Sequence, residues 1–77
     1  MIFEKVRTII AQQLSIAEDR ITPETSLTVD IGADSLDIFQ IVTELEEVFD
    51  MEFPPDIAPN LKTVGDAVAY IEANAGQ

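Results

Sequence analysis

The residues with the clearest chemical potential lie in the segment Gly32-Ala33-Asp34-Ser35-Leu36, where a serine hydroxyl follows an aspartate. A serine becomes a nucleophile when a neighbouring base activates it, and the chain contains no histidine and no cysteine. The segment also lacks the G-x-S-x-G spacing of a nucleophile elbow. It has neither the lysine nor the second glycine of a phosphate-binding loop. We therefore expect no intrinsic catalysis, and the chain is predicted not to be an enzyme.

Acidic residues are numerous, but their spacing does not build a catalytic or metal site. The stretch from Asp30 to Asp34 lacks the ligand spacing and the terminal glutamate of a calcium loop. A pair of carboxylates performs acid/base catalysis only in a cleft that raises one pKa, and a small bundle offers little room for one. We predict no metal site, and a minor divalent-ion binder stays open as an alternative with little support from the spacing.

The position of Ser35 suits a different chemistry, in which the serine carries a phosphate ester. Ser35 stands at the predicted start of a helix, where free backbone N–H groups and the positive end of the helix dipole favour an anion. Gly32 allows a tight turn without a side chain obstructing the site. The residues alone favour the ordinary alternative, in which Ser35 is merely the first residue of a helix and Gly32 a routine turn.

Three amphipathic helices are predicted to position this segment. The first covers Ile2 to Leu14, and the second runs from Ser35 to Phe49 with Asp34 as its N-cap and Asp37 completing a capping box. The third follows Thr63 as N-cap, with Asp66 at its third position, and frays near Gly76. The apolar positions spaced for burial are Phe3, Val6, Ile10 and Leu14, then Ile38, Ile41, Val42, Leu45 and Phe49, and finally Val64, Ala67, Val68 and Ile71.

Two long connections join the helices. The connection 15–34 is expected to be pinned by Ile21, Leu27 and Ile31, and a single helical turn could start at Thr22. The connection 50–62 carries Pro54, Pro55 and Pro59, which permit at most a helical turn beginning at Pro55. The predicted fold is all-α: a small bundle of three main amphipathic helices plus one short helix, forming a single domain over residues 1–77.

The charge indicates the kind of partner. Fifteen acidic residues against four basic ones give a formal net charge of −11, with no basic residue between Arg20 and Lys62. Such a surface attracts basic partner surfaces, or it merely keeps the protein in solution. Nucleic acid and anionic membranes are not expected partners, because phosphate binding requires a basic surface. No apolar run approaches the roughly 20 residues of a membrane span, and the N-terminus lacks the layout of a secretion signal. We expect a cytoplasmic monomer.

The segment Asp30–Asp37, with the sequence DIGADSLD, closely resembles the DLGADSLD signature of bacterial acyl carrier proteins. The match continues through Glu44–Asp50 and again at Lys62–Ala67. With the first helix included, the resemblance covers essentially the whole chain. An eight-residue block with one conservative change, placed at a junction between a loop and a helix, is a specific motif.

This resemblance implies a post-translational role for Ser35. Its hydroxyl is similar to the one that a phosphopantetheinyl transferase joins to the 4′-phosphopantetheine of coenzyme A. Asp34 would orient the site and contact the metal in the transferase complex, which is compatible with its role as an N-cap. The thiol of the arm would then carry acyl groups as thioesters, so that a protein without cysteine performs thiol chemistry.

The resemblance also implies a docking surface on the second helix, which partner enzymes of this family read through arginine and lysine patches. Leu36 falls off the buried stripe, so it is expected to contact partners directly. Gln40 belongs to the same surface but stands where family members commonly have glutamate. The residues carried over to this surface are Asp34, Leu36, Asp37, Gln40, Glu46 and Glu47.

Departures from the family pattern leave the pathway open. Val48 replaces a frequent acid, and the segment Pro54–Asn60 is less acidic and more proline-rich than the usual third helix. Fatty-acid biosynthesis is the expected pathway, and a dedicated carrier for polyketide, aminoacyl or other specialised acyl transfer is the alternative. An acidic interaction module that is never modified is the alternative from another class.

An acyl pocket is expected beside the second helix, because the interior is apolar in a bundle too short to be tightly specified. The residues expected to line it are Ile38, Val42, Leu45, Ala67 and Ile71.

Overall fold

The computed structural model describes residues 2–57 and 61–74 of the chain. Within these ranges it contains three α-helices and one short 3₁₀ helix, and its β structure is limited to an isolated bridge between Ser26 and Thr63. The all-α bundle predicted from the sequence is confirmed. The helices are α1 (Ile2–Leu14), α2 (Ser35–Phe49) and α3 (Val64–Asn74), with the 3₁₀ helix at Glu18–Arg20.

Local capping explains where α3 begins. The Thr63 hydroxyl accepts a hydrogen bond from Asp66 N at 3.1 Å, and Thr63 N donates to the Asp66 carboxylate at 3.1 Å. This reciprocal pair satisfies backbone donors that the first turn leaves without helical partners. The predicted cap is therefore confirmed, whereas the predicted fraying near Gly76 falls outside the described residues.

The short helix lies earlier than the sequence suggested. The helical turn expected to start at Thr22 is wrong: the 3₁₀ helix ends at Arg20. The chain at Thr22 forms a turn closed by a hydrogen bond from Thr25 N to Thr22 O at 3.0 Å, reinforced by one from Thr22 N to the buried Thr25 hydroxyl at 2.8 Å. The second candidate region forms a turn in which Ile57 N donates to Pro54 O at 2.9 Å, and Pro59 lies outside the described residues.

The core is built around α1, which packs against both α2 and α3, whereas α2 and α3 contact each other much less. A helix with neighbours on two sides buries a wider face than a single stripe. Ile9 and Ala11 are accordingly buried, although the sequence did not single them out. Six residues expected to be buried are only half-buried, at the edges of this core: Phe3, Leu14, Ile31, Ile38, Phe49 and Val68.

Buried side chains from the second connection fill the space between α2 and α3. Phe53 and Leu61 are both buried, at 6% and 8% exposure. The first connection bonds to the end of the second, where Leu27 N donates to Lys62 O, and to the start of α3, where Val64 N donates to Thr25 O, each at 3.0 Å. The long connections are therefore packed and paired parts of the fold, which hold the start of α2 in place.

Gly65 makes this pairing possible. Its backbone N donates to Pro23 O at 2.8 Å, and a Cβ built at Gly65 would lie 2.8 Å from the same oxygen. A side chain there would push the first connection away from the start of α3.

Candidate functional site

Ser35 is the first residue of α2, and its side chain is exposed. The preceding Asp34 has extended backbone geometry, as an N-cap requires, and its carboxylate accepts a hydrogen bond from Asp37 N at 2.9 Å. Asp34 N donates in return to the Asp37 carboxylate at 3.3 Å. The predicted capping box is confirmed, and it fixes the backbone on both sides of the serine.

This cap changes the electrostatics expected at the helix start. Asp37 N is occupied by the Asp34 carboxylate, so the two N–H groups without a helical acceptor are those of Ser35 and Leu36. Two carboxylates already lie at the positive end of the helix dipole. An anion attached to Ser35 would meet two free N–H groups and two neighbouring negative charges, so the helix end gives it less support than the sequence alone suggested.

The loop before the serine is held by its own hydrogen bonds. Ser26 N donates to the Asp30 carboxylate at 2.8 Å, and Asp30 N donates back to Ser26 O at 3.1 Å. Ala33 N donates to Leu27 O at 2.8 Å, which closes the loop next to Asp34. Asp30 in the signature is therefore a structural residue that fixes the loop.

Gly32 has a conformational role at this site. Its φ is +80°, in the left-handed region that favours glycine, and a Cβ built there would meet nothing within 4 Å. The expectation of a tight turn is confirmed. The expectation that a side chain there would obstruct the site stays a prediction, because the open space around Gly32 is the space that an attached group or a partner would use.

A groove of about 840 Å³ opens beside Ser35, between α2 and the connection that follows it. Val29 and Phe39 form its rim, with exposures of 83% and 67%. Val42, Phe53 and Leu61 are buried and form its floor. The other lining residues are Ser26, Thr28, Ser35, Ile38, Thr43, Glu46, Pro55 and Lys62.

The structure divides the residues expected to line an acyl pocket into two groups. Ile38 and Val42 line the groove next to Ser35. Leu45, Ala67 and Ile71 are almost completely buried in the core and are not among the lining residues.

Sequence reasoning missed the two phenylalanines of this groove. Phe39 is one position off the buried stripe of α2, and that offset is the signal that could have placed it at the rim. Phe53 lies in a proline-rich connection with no helical period, so no pattern in the sequence indicated its burial.

The residues expected at a docking surface have different environments. Leu36 is 63% exposed and Glu47 is exposed, as a residue that contacts a partner would be. Asp34 and Asp37 are exposed and half-buried respectively, and both are engaged in the cap.

The other two docking candidates make contacts that the sequence did not suggest. Gln40 accepts a hydrogen bond from the Gln13 side chain of α1 at 2.5 Å. The half-buried Glu46 accepts one from Phe53 N at 2.7 Å. Gln40 therefore joins α2 to α1, and Glu46 joins α2 to the second connection.

A single basic residue, Lys62, is among the groove-lining residues in the described part of the chain. Lys62 N donates to the Asp66 carboxylate at 3.0 Å. Hydrogen bonds from the backbone of Thr63 and Lys62 hold the pKa of Asp66 below its ordinary value of 3.8.

The described residues contain no group of three or more acidic, histidine or cysteine side chains placed to hold a metal ion. Within residues 2–57 and 61–74, no helix is long and apolar enough to cross a bilayer.

Comparison with known proteins gives consistent matches. The family described as "Phosphopantetheine attachment site" matches residues 4–71. A solved structure of a Mycobacterium tuberculosis protein, assigned as an acyl carrier protein, superposes with a TM-score of 0.89 and 36% sequence identity, covering 95% of this chain and 97% of that one. The acyl carrier protein of Enterococcus faecalis gives a TM-score of 0.82 and 35% identity, covering 96% of this chain and 94% of the other.

Proposed function

The chain belongs to the phosphopantetheine-bearing acyl carrier protein family, and from that membership we propose that Ser35 is its attachment residue for 4′-phosphopantetheine. Members of this family are carriers and not enzymes. The observation that carries the proposal is the position of Ser35, which is exposed at the start of a capped helix and beside a groove.

The residues around Ser35 fit such a group. Within the described residues no hydrogen bond ties down the Ser35 hydroxyl, so a transferase can reach it. The capping box holds the backbone of Ser35 in one conformation, which presents the hydroxyl outward. No histidine exists in the chain to take the hydroxyl proton, so the transferase must supply the base. When bound, the group supplies a thiol that holds an acyl chain as a thioester.

The groove is the proposed shelter for the acyl chain. Ser35 lines it, and the floor formed by Val42, Phe53 and Leu61 is apolar. Each methylene removed from water there would contribute about 0.8 kcal/mol. The wall contributed by α2 also includes Ile38, as the sequence predicted for an acyl pocket.

The proposed partners are a phosphopantetheinyl transferase and acyl-processing enzymes that dock through basic patches. Support comes from the run of acidic residues with no basic residue between Arg20 and Lys62, and from the exposure of Leu36 beside Ser35 and of Glu47 near the other end of α2. We propose residues 1–77 as one monomeric carrier domain that acts in the cytoplasm, in fatty-acid biosynthesis.

Intact-protein mass spectrometry tests the attachment. The protein is incubated with coenzyme A, Mg²⁺ and a phosphopantetheinyl transferase of broad specificity. We expect the native protein to gain the mass of one phosphopantetheine, and Ser35→Ala to gain nothing. Ser26→Ala is the matched control, because Ser26 lines the same groove and its loss should leave the gain intact.

Two results would contradict the proposal. If the folded native protein gains no mass, the chain is an unmodified interaction module. If Ser35→Ala still gains mass, another residue is the attachment site.

Loading assays test the pathway separately from the attachment. The modified protein is offered to a malonyl-transferring enzyme of fatty-acid synthesis and to an amino-acid-adenylating enzyme. Fatty-acid synthesis predicts malonyl loading alone, and aminoacyl loading would assign the chain to specialised synthesis.

A further inference from the structure

Phe53 is held from three directions. Its backbone N donates to the Glu46 carboxylate at 2.7 Å, a short bond to a charged acceptor. Its ring packs on the Tyr70 ring of α3, with centroids 5.1 Å apart and planes inclined by 30°. Pro54 follows it, and a residue before proline is restricted to extended backbone conformations. The side chain, with 6% exposure, is therefore a fixed part of the structure.

This fixed side chain stands between the groove and α3. Phe53 lines the groove, and its ring also contacts Tyr70 of α3. In the described part of the chain no residue of α3 lines the groove, although Ala67 and Ile71 of α3 belong to the same buried core. Phe53 is thus the part of the groove floor that separates the groove from α3, and we call it the wall.

We propose that Phe53 determines how far an acyl chain penetrates the bundle. The inference rests on the proposed function, because it assumes that Ser35 carries the chain and that the chain lies in the groove. An acyl chain lies along α2 as far as Phe53, and it does not reach Ala67 and Ile71. Short and medium straight chains are then fully sheltered, whereas the end of a long chain leaves the groove and meets water.

The experiment uses the transferase and coenzyme A analogues with hexanoyl, decanoyl or hexadecanoyl amides in place of the thioester. The acylated phosphopantetheine is joined to Ser35, 3′,5′-adenosine diphosphate leaves, and the amide does not hydrolyse as a thioester does. Intact mass confirms that one group was added, and Ser35→Ala, which should gain nothing, assigns the addition to Ser35 before any other measurement. Thermal unfolding is then recorded for each chain length. A ¹³C label on the terminal methyl of the hexadecanoyl chain reports, through nuclear Overhauser effects, which side chains it touches.

We expect the unfolding temperature of the native protein to rise from hexanoyl to decanoyl and to change no further with hexadecanoyl. In Phe53→Leu the side chain that forms the wall is smaller, so the unfolding temperature should rise again from decanoyl to hexadecanoyl. The labelled methyl should show no contact with Ala67 or Ile71 in the native protein and should contact both in Phe53→Leu.

Two further variants separate this role from general packing. Phe49→Leu removes the same aromatic volume from a half-buried position on α2 that does not line the groove. Its unfolding temperature should therefore still stop rising at decanoyl. If Phe53→Leu does not fold, Phe53→Met replaces it, since a flexible side chain of similar volume can move aside.

Each outcome decides the matter. Contact between the labelled methyl and Ala67 or Ile71 in the native protein would overturn the inference. So would an unfolding temperature that still stops rising at decanoyl in the Phe53 variant that folds. Failure of Ser35 to gain mass would instead overturn the proposed function, and this inference with it.

Discussion

At the scale of single residues, the surroundings of Ser35 fit a serine that another protein modifies selectively although its own hydroxyl is not activated. The carboxylates of Asp34 and Asp37 accept hydrogen bonds from each other's backbone N–H groups, which fixes the start of α2. Gly32 supplies the positive φ that brings the loop into the helix. The serine hydroxyl between them is exposed and has no histidine to activate it. The proposed modification of Ser35 therefore requires a base from the transferase, and the capped start of α2 would present the hydroxyl to it.

Asp66 gives a residue-scale prediction about pH. Its pKa is lowered in the folded state by hydrogen bonds from the Thr63 and Lys62 backbones, so its contribution to stability is present above its unfolded pKa and is lost as the pH falls through the folded pKa. Asp66→Asn should reduce the free energy of unfolding at neutral pH by about 1 kcal/mol or less, because the group is exposed. Urea unfolding between neutral pH and about pH 3 measures this difference.

The difference between the Asp66→Asn and native proteins should shrink toward the acid end of that range. Glu72→Gln is the control, an exposed acid on the same helix that makes no cap, and it should show little difference at any pH. A difference for Asp66→Asn that stays constant with pH would show that the Asp66 charge contributes nothing.

At the scale of elements, α2 is held by α1 on one face and by the connection that follows it. Its buried stripe packs on α1, and Glu46 bonds to the connection that closes the groove. Glu46 is thus both an acid on the expected docking surface and the residue that holds Phe53 in place. The bond from Phe53 N uses one oxygen of this carboxylate, Oε2, which leaves Oε1 to accept from a partner cation.

Two substitutions of Glu46 separate these roles. Glu46→Gln keeps an oxygen that can accept the bond from Phe53 N, whereas Glu46→Ala leaves that half-buried donor without a partner. We expect Glu46→Ala to lower the free energy of unfolding by about 1–3 kcal/mol and Glu46→Gln to lower it by less. Both should weaken docking to a basic partner, because both remove the charge.

Chemical denaturation and a binding titration with the transferase measure the two effects. Glu47→Gln is the control, since Glu47 is exposed on the same helix and should affect binding alone. Equal stability of Glu46→Ala and Glu46→Gln would contradict the structural role of this carboxylate.

Features that depend on neighbouring residues could be predicted from the sequence, and contacts between distant residues could not. The bounds of α1 and α2, the capping box at Asp34 and the cap at Thr63 depend on residues within one turn, so the sequence predicted them. The partners of Gln40 and Glu46 are 27 and 7 positions away, and neither contact has a periodic pattern. Phe53 was missed for the same reason, because its burial depends on Tyr70 of another helix.

At the scale of the whole molecule, charge opposes folding. A net charge of −11 on 77 residues creates self-repulsion that a small core must overcome. Among residues 2–57 and 61–74, few attractions that involve a basic side chain offset it. Arg7 pairs with Glu18 at 3.3 Å, and Lys5 lies over the Phe49 ring at 6.0 Å, so two of the four basic residues serve α1 and its neighbours.

Added salt should therefore stabilise the fold. We expect the thermal unfolding temperature to rise steadily with NaCl, and with Mg²⁺ as well, because ions screen the carboxylates. Compared at equal ionic strength, Mg²⁺ should add no saturable component to the effect of NaCl, since the described residues form no cluster that could hold a metal ion. Calorimetry across a salt series measures this. Insensitivity to both salts would show that the carboxylates are already compensated, and a saturable effect of Mg²⁺ would reveal a discrete site.

The most direct measurement for the whole account locates the modification in the native protein. Trypsin cannot do so, because no lysine or arginine separates Ser26 from Ser35. Cleavage before aspartate places the three serines, Ser15, Ser26 and Ser35, on three different peptides, with Ser35 on the peptide Asp34–Leu36. Mass spectrometry of these peptides after transferase treatment should find phosphopantetheine on Asp34–Leu36 alone. A modified peptide that contains Ser15 or Ser26, or no modified peptide, would contradict the assignment of Ser35 as the carrier residue.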